Sequence, residues 1–168
     1  MAKLKIYKYP EKILEQKATP VLFFDSALFE LCDNMCETMF SAGGIGLAAP
    51  QVGVSQRIIV VENNYGEPIV MVNPEIIWHS QKTQLYSEGC LSLPGVYYEV
   101  QRFESIRVKY QTAYGKACTM VCDGLMAVCV QHEVDHLNGI LYIDLLDEHS
   151  RQAAIDEFLA LTSDIKKT

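Results

Sequence analysis

The sequence predicts an α+β fold: mostly antiparallel sheets wrapped around one central helix, with an amphipathic helix at the C-terminal end. Three observations predict it. Extended, β-branched segments fill the middle of the chain, and helical patterns interrupt them without the regular alternation of a parallel βαβ sheet. Residues 124–137 begin almost wholly apolar, the mark of a helix inside a core rather than on a surface. Residues 148–163 set apolar positions at helical spacing among charged ones.

The elements follow in order. Asp25 or Ser26 can cap a helix over 26–41, where Leu28, Leu31, Cys32, Met35 and Met39 recur on one face, and Gly43-Gly44 stops it. A glycine-flanked apolar stretch containing Pro50 runs from Ile45 to Gly53. Arg57–Val61 is β-branched and reads as a strand, and Asn63-Asn64-Tyr65-Gly66 makes a turn. Strands are expected at 69–78, 84–89, 104–111 and 116–122, with a turn near Tyr114-Gly115. The central helix is expected over 125–137. Ile140–Ile143 reads as a short strand, and the last helix over 148–163 should turn Ala154, Ile155, Phe158, Leu159 and Leu161 inward.

At 168 residues with 49% hydrophobic content, one domain over 1–168 can bury a core of its own. The net charge of −7 argues against general nucleic-acid binding, which needs a basic face. The first ten residues have no apolar core or cleavage site of a secretory signal, and no run reaches the ~18 apolar residues of a membrane span. A cytoplasmic protein is expected. Six cysteines in such a chain suggest free thiols. Cys32 with Cys36, and Cys118 with Cys122, could in principle hold zinc between them. Their spacing lacks the tight turn of a zinc knuckle, so they read as buried apolar residues.

Residues 131–139, Gln-His-Glu-Val-Asp-His-Leu-Asn-Gly, hold the pattern His132-Glu133-x-x-His136. On a helix the two imidazoles lie one turn apart on one face and can grip one divalent metal. Glu133 lies between them, placed to take a proton from a water on that metal. Burying two His, Glu and Asp without partners would cost several kcal/mol, roughly, for each ionised group, and a metal supplies a partner. The chain is therefore a candidate metallohydrolase. Asp135 could orient a histidine or pair with an arginine.

A catalytic site of this kind needs a third protein ligand and one open position. A metzincin pattern would continue to a histidine where Tyr142 stands, although Gly139 fits it. Glu157 lies near the distance of a thermolysin-like downstream glutamate, but reads more simply as a solvated charge. His79 and His149 have polar neighbours and look like surface residues. Cys90 follows Gly89 at a strand end, where a bend could expose its thiol, and thiolate is a good metal ligand. A turn cysteine is the plainer reading of that pair. An endopeptidase, or a non-catalytic module with a structural metal, would share the same helix.

Three segments taken together resemble the peptide deformylase family: Gly44-Ile45-Gly46-Leu47-Ala48-Ala49-Pro50-Gln51-Val52-Gly53, Glu88-Gly89-Cys90-Leu91-Ser92-Leu93-Pro94-Gly95, and Gln131 to Gly139. They match the family's blocks in order and at family-like separations, and the resemblance covers nearly the whole chain. It departs after Tyr9-Pro10, where Glu11-Lys12-Ile13-Leu14-Glu15 replaces an arginine-bearing pattern.

The resemblance implies a metal-dependent hydrolase, one catalytic domain, that removes the formyl group from the N-terminal formyl-methionine of new polypeptides and releases formate. It implies Cys90, His132 and His136 as ligands of one divalent metal, Fe(2+), in a site that Zn, Ni or Co can also fill. Glu133 then moves the proton, while the Gln51 amide and the Leu91 backbone N–H stabilise the oxyanion. Ile45, Glu88, Leu125, Val128 and Cys129 would line the methionine slot, with His132 at its floor. Leu125, Val128 and Cys129 read equally well as helix core. Gly44, Gly46 and Gly89 would let substrate backbone approach closely. Arg102 sits in a loop-like stretch and would lie near the bound peptide, with a surface arginine as the alternative. The implied partners are nascent formyl-methionyl polypeptides, with transient ribosome association.

Overall fold

The computed structural model describes residues 2–167. Helix α1 spans Ser26–Ser41; the Asp25 side chain accepts from the Leu28 N–H at 3.0 Å, and the chain leaves the helix through Gly43 at φ 71°. A three-residue strand β1 (Gly46–Ala48) follows, then a single 3-10 turn over Ala49–Val52. Strands β2 (Ile58–Glu62) and β3 (Pro68–His79) form the next hairpin. Strands β4 (Thr83–Cys90) and β5 (Leu93–Phe103) form another, and β6 (Ser105–Gln111) and β7 (Ala117–Asp123) a third. Helix α2 spans Gly124–Leu137 and helix α3 spans Glu148–Lys167.

Five strands make one antiparallel sheet in the order β1-β2-β3-β6-β7, and β4 with β5 makes a second. Helix α2 packs against both. Strand β2 explains why the sequence Ile-Ile-Val-Val has no polar alternation. Ile58 and Val60 meet Leu28, Cys32, Met35 and Met39 of α1, whereas Ile59 and Val61 meet Val130, Val134 and Leu137 of α2. Both faces of the strand are covered, so every side chain is apolar. A third cluster joins Leu93, Val96 and Val100 of β5 to Ala154, Ile155 and Phe158 of α3.

The structure corrects three expectations and adds one strand. Residues 93–103, where no strand is expected and Arg102 is given a loop-like place, form β5. Its ladder runs to β4 alone, and such an edge tolerates a proline without an N–H. The short strand expected at 140–143 is instead a 3-10 turn over Tyr142–Leu145, because Leu141, Tyr142 and Ile143 are all buried at once, which a pleated strand with one wet face cannot arrange. The Asp144 carboxylate accepts from the Leu141 N–H at 2.9 Å and closes that turn. On α3, Leu159 and Leu161 are 49% and 40% exposed rather than inward. Strand β1 had no counterpart in the reading of the sequence; three residues between glycines give too short a pattern.

Candidate metal centre

The apolar start of α2 carries the helix under the sheet, and its third turn then brings His132, Glu133 and His136 into the interior; all three are buried. Cys90 arrives from the other sheet, at the end of β4, where the register with β5 shifts between Glu88 and Cys90. The Cys90 Sγ lies 3.3 Å from His136 Nε2. One ligand atom from each of Cys90, His132 and His136 lies within 4.8 Å of the others, and among the described residues no other group of this kind forms. Cys32 and Cys36 pack in the α1 cluster while Cys118 and Cys122 pack with the α2 cluster, so the alternative four-thiolate site does not assemble. Glu157, His79 and His149 are exposed and take no part.

One sulfur and two imidazole nitrogens form a donor set for a first-row transition metal. Two further observations fit such an ion. The Glu133 Oε1 lies 3.9 Å from His132 Nε2, and Glu133 Oε2 is buried with no hydrogen-bond partner among the described residues. The other nitrogen of His132, Nδ1, lies 2.8 Å from Glu88 Oε1. That bond fixes the tautomer and leaves Nε2 free to ligate.

The charges around the ligands form a chain. Arg102 grips Glu88 with two bonds, Nε to Oε2 at 2.7 Å and Nη2 to Oε1 at 2.9 Å, and reaches Asp135 Oδ2 through Nη1 at 2.6 Å. Burial works against the charge on Glu88, but the bonds from Arg102 and His132 outweigh it and hold its carboxyl below the usual range. Arg102 is 5% exposed and lies on β5, so the structure corrects both its expected place in a loop-like stretch and the alternative of a surface arginine. It supports Glu88, which supports His132. The same bonds resolve the role of Asp135 in favour of pairing with an arginine.

Burial also sets the proton inventory. It pushes the Glu133 carboxyl up to about 7, against the opposing charge of His132. A bound cation adds positive charge there and pulls the group back toward carboxylate. Burial, aided by the charges of His132 and Arg102, holds His136 well below its ordinary value and so neutral, as a ligand must be. Cys129 is pushed up to about 12 by burial and the nearby Glu133, which makes it an inert thiol.

The ligands open onto a cleft of about 430 Å³. Its walls include Gly44, Ile45 and Gly46 on one side, Glu88 through Leu91 on another, and Leu125, Val128, Cys129, His132 and Glu133 along α2. Of the two readings of Leu125, Val128 and Cys129, Leu125 is 43% exposed at the cleft, while Val128 and Cys129 are buried and line it as well. Gln51 is buried: its Oε1 accepts from the Ala48 N–H at 2.9 Å, and its Nε2 lies 3.1 Å from Ser92 Oγ and 3.5 Å from Cys90 Sγ. The amide is thus held with its donor end beside the ligand sulfur.

Three side chains at the site had no place in the reading of the sequence. Ser92 is fully buried, accepts from Gln51 and donates to the Tyr7 carbonyl at 2.7 Å. Tyr86 and Tyr97 line the cleft. Tyr86 shares a face with Glu88 by strand alternation, a usable signal. Tyr97 lies on β5, and with no strand expected there its facing could not be inferred.

The family model described as "Polypeptide deformylase" matches residues 3–152. A protein named "Peptide deformylase" from Prochlorococcus marinus is 42% identical over 169 residues, covering 98% of this chain and 84% of that one. The crystal structure of a peptide deformylase from Legionella pneumophila superposes with a TM-score of 0.94 at 40% identity, over 99% of each chain. That of a peptide deformylase from Ehrlichia chaffeensis in complex with actinonin gives 0.90 at 38% identity, over 94% of this chain and 96% of the other.

Proposed function

This chain belongs to the peptide deformylase family, hydrolases that remove the N-formyl group from newly made polypeptides, and on that premise we propose how its own residues divide the work. Cys90, His132 and His136 would hold one divalent metal ion. The resident metal is Fe(2+), in a site that Zn, Ni or Co can also fill. The chemistry such an ion would supply there is Lewis acidity toward the attacking water and the formyl carbonyl. Glu133 takes the proton of the attacking water and delivers it to the leaving amine. The Gln51 amide and the Leu91 backbone N–H donate to the carbonyl oxygen as it gains charge. Ile45, Leu125, Val128 and Cys129 receive the methionine side chain, and Glu88, held by Arg102, orients His132. The substrate is the formyl-methionyl end of a nascent polypeptide, met during transient association with the ribosome in the cytoplasm, and the 168 residues act as one catalytic domain. Among the described residues no helix is long and apolar enough to cross a membrane.

The observation that carries this reading is the convergence of three ligand atoms within 4.8 Å beside a buried carboxylate that has an unpartnered oxygen. The metal-loaded protein is expected to release formate from formyl-Met-Ala-Ser and to leave acetyl-Met-Ala-Ser uncut. Glu133→Gln should retain stoichiometric metal and lose at least about 100-fold in kcat, the scale of a positioned proton carrier. Formate release by that variant at the wild-type rate would remove Glu133 from its role.

A further inference from the structure

Glycines at 44, 46 and 89 were expected to make room for substrate. The structure gives much of that room to the protein's own side chains. A Cβ at Gly44 would meet Leu91 Cδ1 at 2.7 Å, and one at Gly89 would meet the Tyr97 ring at 2.5 Å. A Cβ at Gly46 would lie 2.6 Å from Glu133 Oε1, 3.0 Å from its Cγ and 3.1 Å from its Cδ. Gly46 has no left-handed φ and sits in β1, paired with Val61 of β2. Its backbone would accept any L-residue, so conformational freedom is not the reason for glycine there. The reason is the carboxylate pressed against it.

We propose that Gly46 is a positioning residue: its bare Cα is the wall that sets where the Glu133 carboxylate stands. This rests on the reading of Glu133 as the proton carrier. The Oε2 atom has no hydrogen-bond partner among the described residues, so hydrogen bonding leaves that end of the group untied. What locates it is contact. The carboxylate is wedged between the edge strand β1 and His132, whose Nε2 is 3.9 Å from Oε1. A methyl group would crowd three atoms of that one side chain at 2.6 to 3.1 Å, and the atom that must give way first is the carboxylate oxygen at its flexible end. A displacement on the order of 1 Å at a reacting group can cost about 100-fold in rate.

The test is Gly46→Ala in the metal-loaded protein, read with metal stoichiometry, Tm and full kinetics on formyl-Met-Ala-Ser. The expected result is a kcat lowered about 10- to 100-fold, KM within about 2-fold, and unchanged metal content and Tm. Glu133→Asp withdraws the carboxylate by one methylene and supplies the compensating variant. In the Gly46→Ala background this shortening should cost little or restore rate, whereas in the wild type it should cost at least about 10-fold. Wild-type kcat in Gly46→Ala, or losses that simply multiply in the double variant, would overturn the proposal. So would a fall in Tm or metal content large enough to account for the lost rate, since that makes Gly46 a packing residue only. Glu133→Gln separates the two readings: activity retained there removes the proton carrier, whatever Gly46→Ala does.

Discussion

His132 illustrates how much of a metal site lies beyond its ligands. Its Nδ1 bonds Glu88, which is gripped by Arg102, which also holds Asp135 from the next turn of the same helix. Arg102→Met would leave a deeply buried carboxylate without its cation. The expected cost is about 3–5 kcal/mol, measured by denaturant unfolding, with metal affinity weakened about 10- to 100-fold. The pH dependence follows from the depressed carboxyl of Glu88. The stability it supplies is fully present above an unfolded pKa of about 4.3 and is lost as pH falls through the lower folded value. The gap between wild type and Arg102→Met should therefore be widest near neutrality and narrow below about pH 4; a gap independent of pH would contradict the pairing. His132, Glu133 and His136, the residues proposed as ligands and base, were legible because their spacing is local to one helix. Cys90 needed the family's blocks to choose it over Glu157. The place of Arg102 was not legible, since its partners lie 14 and 33 residues away and meet it only once β4, β5 and α2 have assembled.

Helix α2 is aligned by one more side chain. Gln131 stands just before the motif, buried, and treats the end of β5 as a strand would: its Oε1 accepts from the Phe103 N–H at 3.1 Å and its Nε2 donates to the Phe103 carbonyl at 2.9 Å. A third bond, to Ala127 O at 3.0 Å, braces the side chain against its own helix. Gln131→Ala would orphan both backbone groups of Phe103 and is expected to cost about 1–3 kcal/mol. Because the bonds tie the motif turn to the second sheet, the loss should also appear as faster amide exchange at Phe103 and in α2. Unchanged exchange there would show that apolar packing alone sets the helix. α1 was readable because one helical repeat governs it, and β2 because an unbroken β-branched run between turn signals has few other readings. β5 and β1 were not, since Pro94-Gly95 and flanking glycines mimic loop signals and only pairing with a neighbour strand makes them extended.

At the scale of the molecule, two sheets meet across α2, and the candidate metal site lies at that junction, offering a sulfur from one sheet and two nitrogens from the helix. Among the described residues the polar ties across the same seam include Glu88 to His132, Arg102 to Asp135, Gln84 to the Gly124 carbonyl, and Gln131 to Phe103. An ion held there would add a cross-link to those ties and to the apolar packing. A ligand that binds only the folded state stabilises it by about 4 kcal/mol at a thousandfold excess over its Kd. In a domain of this size each kcal/mol moves Tm by about 2–4 °C. Stripping the metal with a chelator under anaerobic conditions should lower Tm by on the order of 10 °C, and Fe(2+), Ni(2+) or Zn(2+) should each restore it. In Cys90→Ser the metal-dependent rise should shrink sharply, because the cross-link loses its only anchor in the second sheet, while Cys118→Ser should keep it. Equal melting of the stripped and loaded protein would mean that the ion contributes to chemistry without joining the sheets.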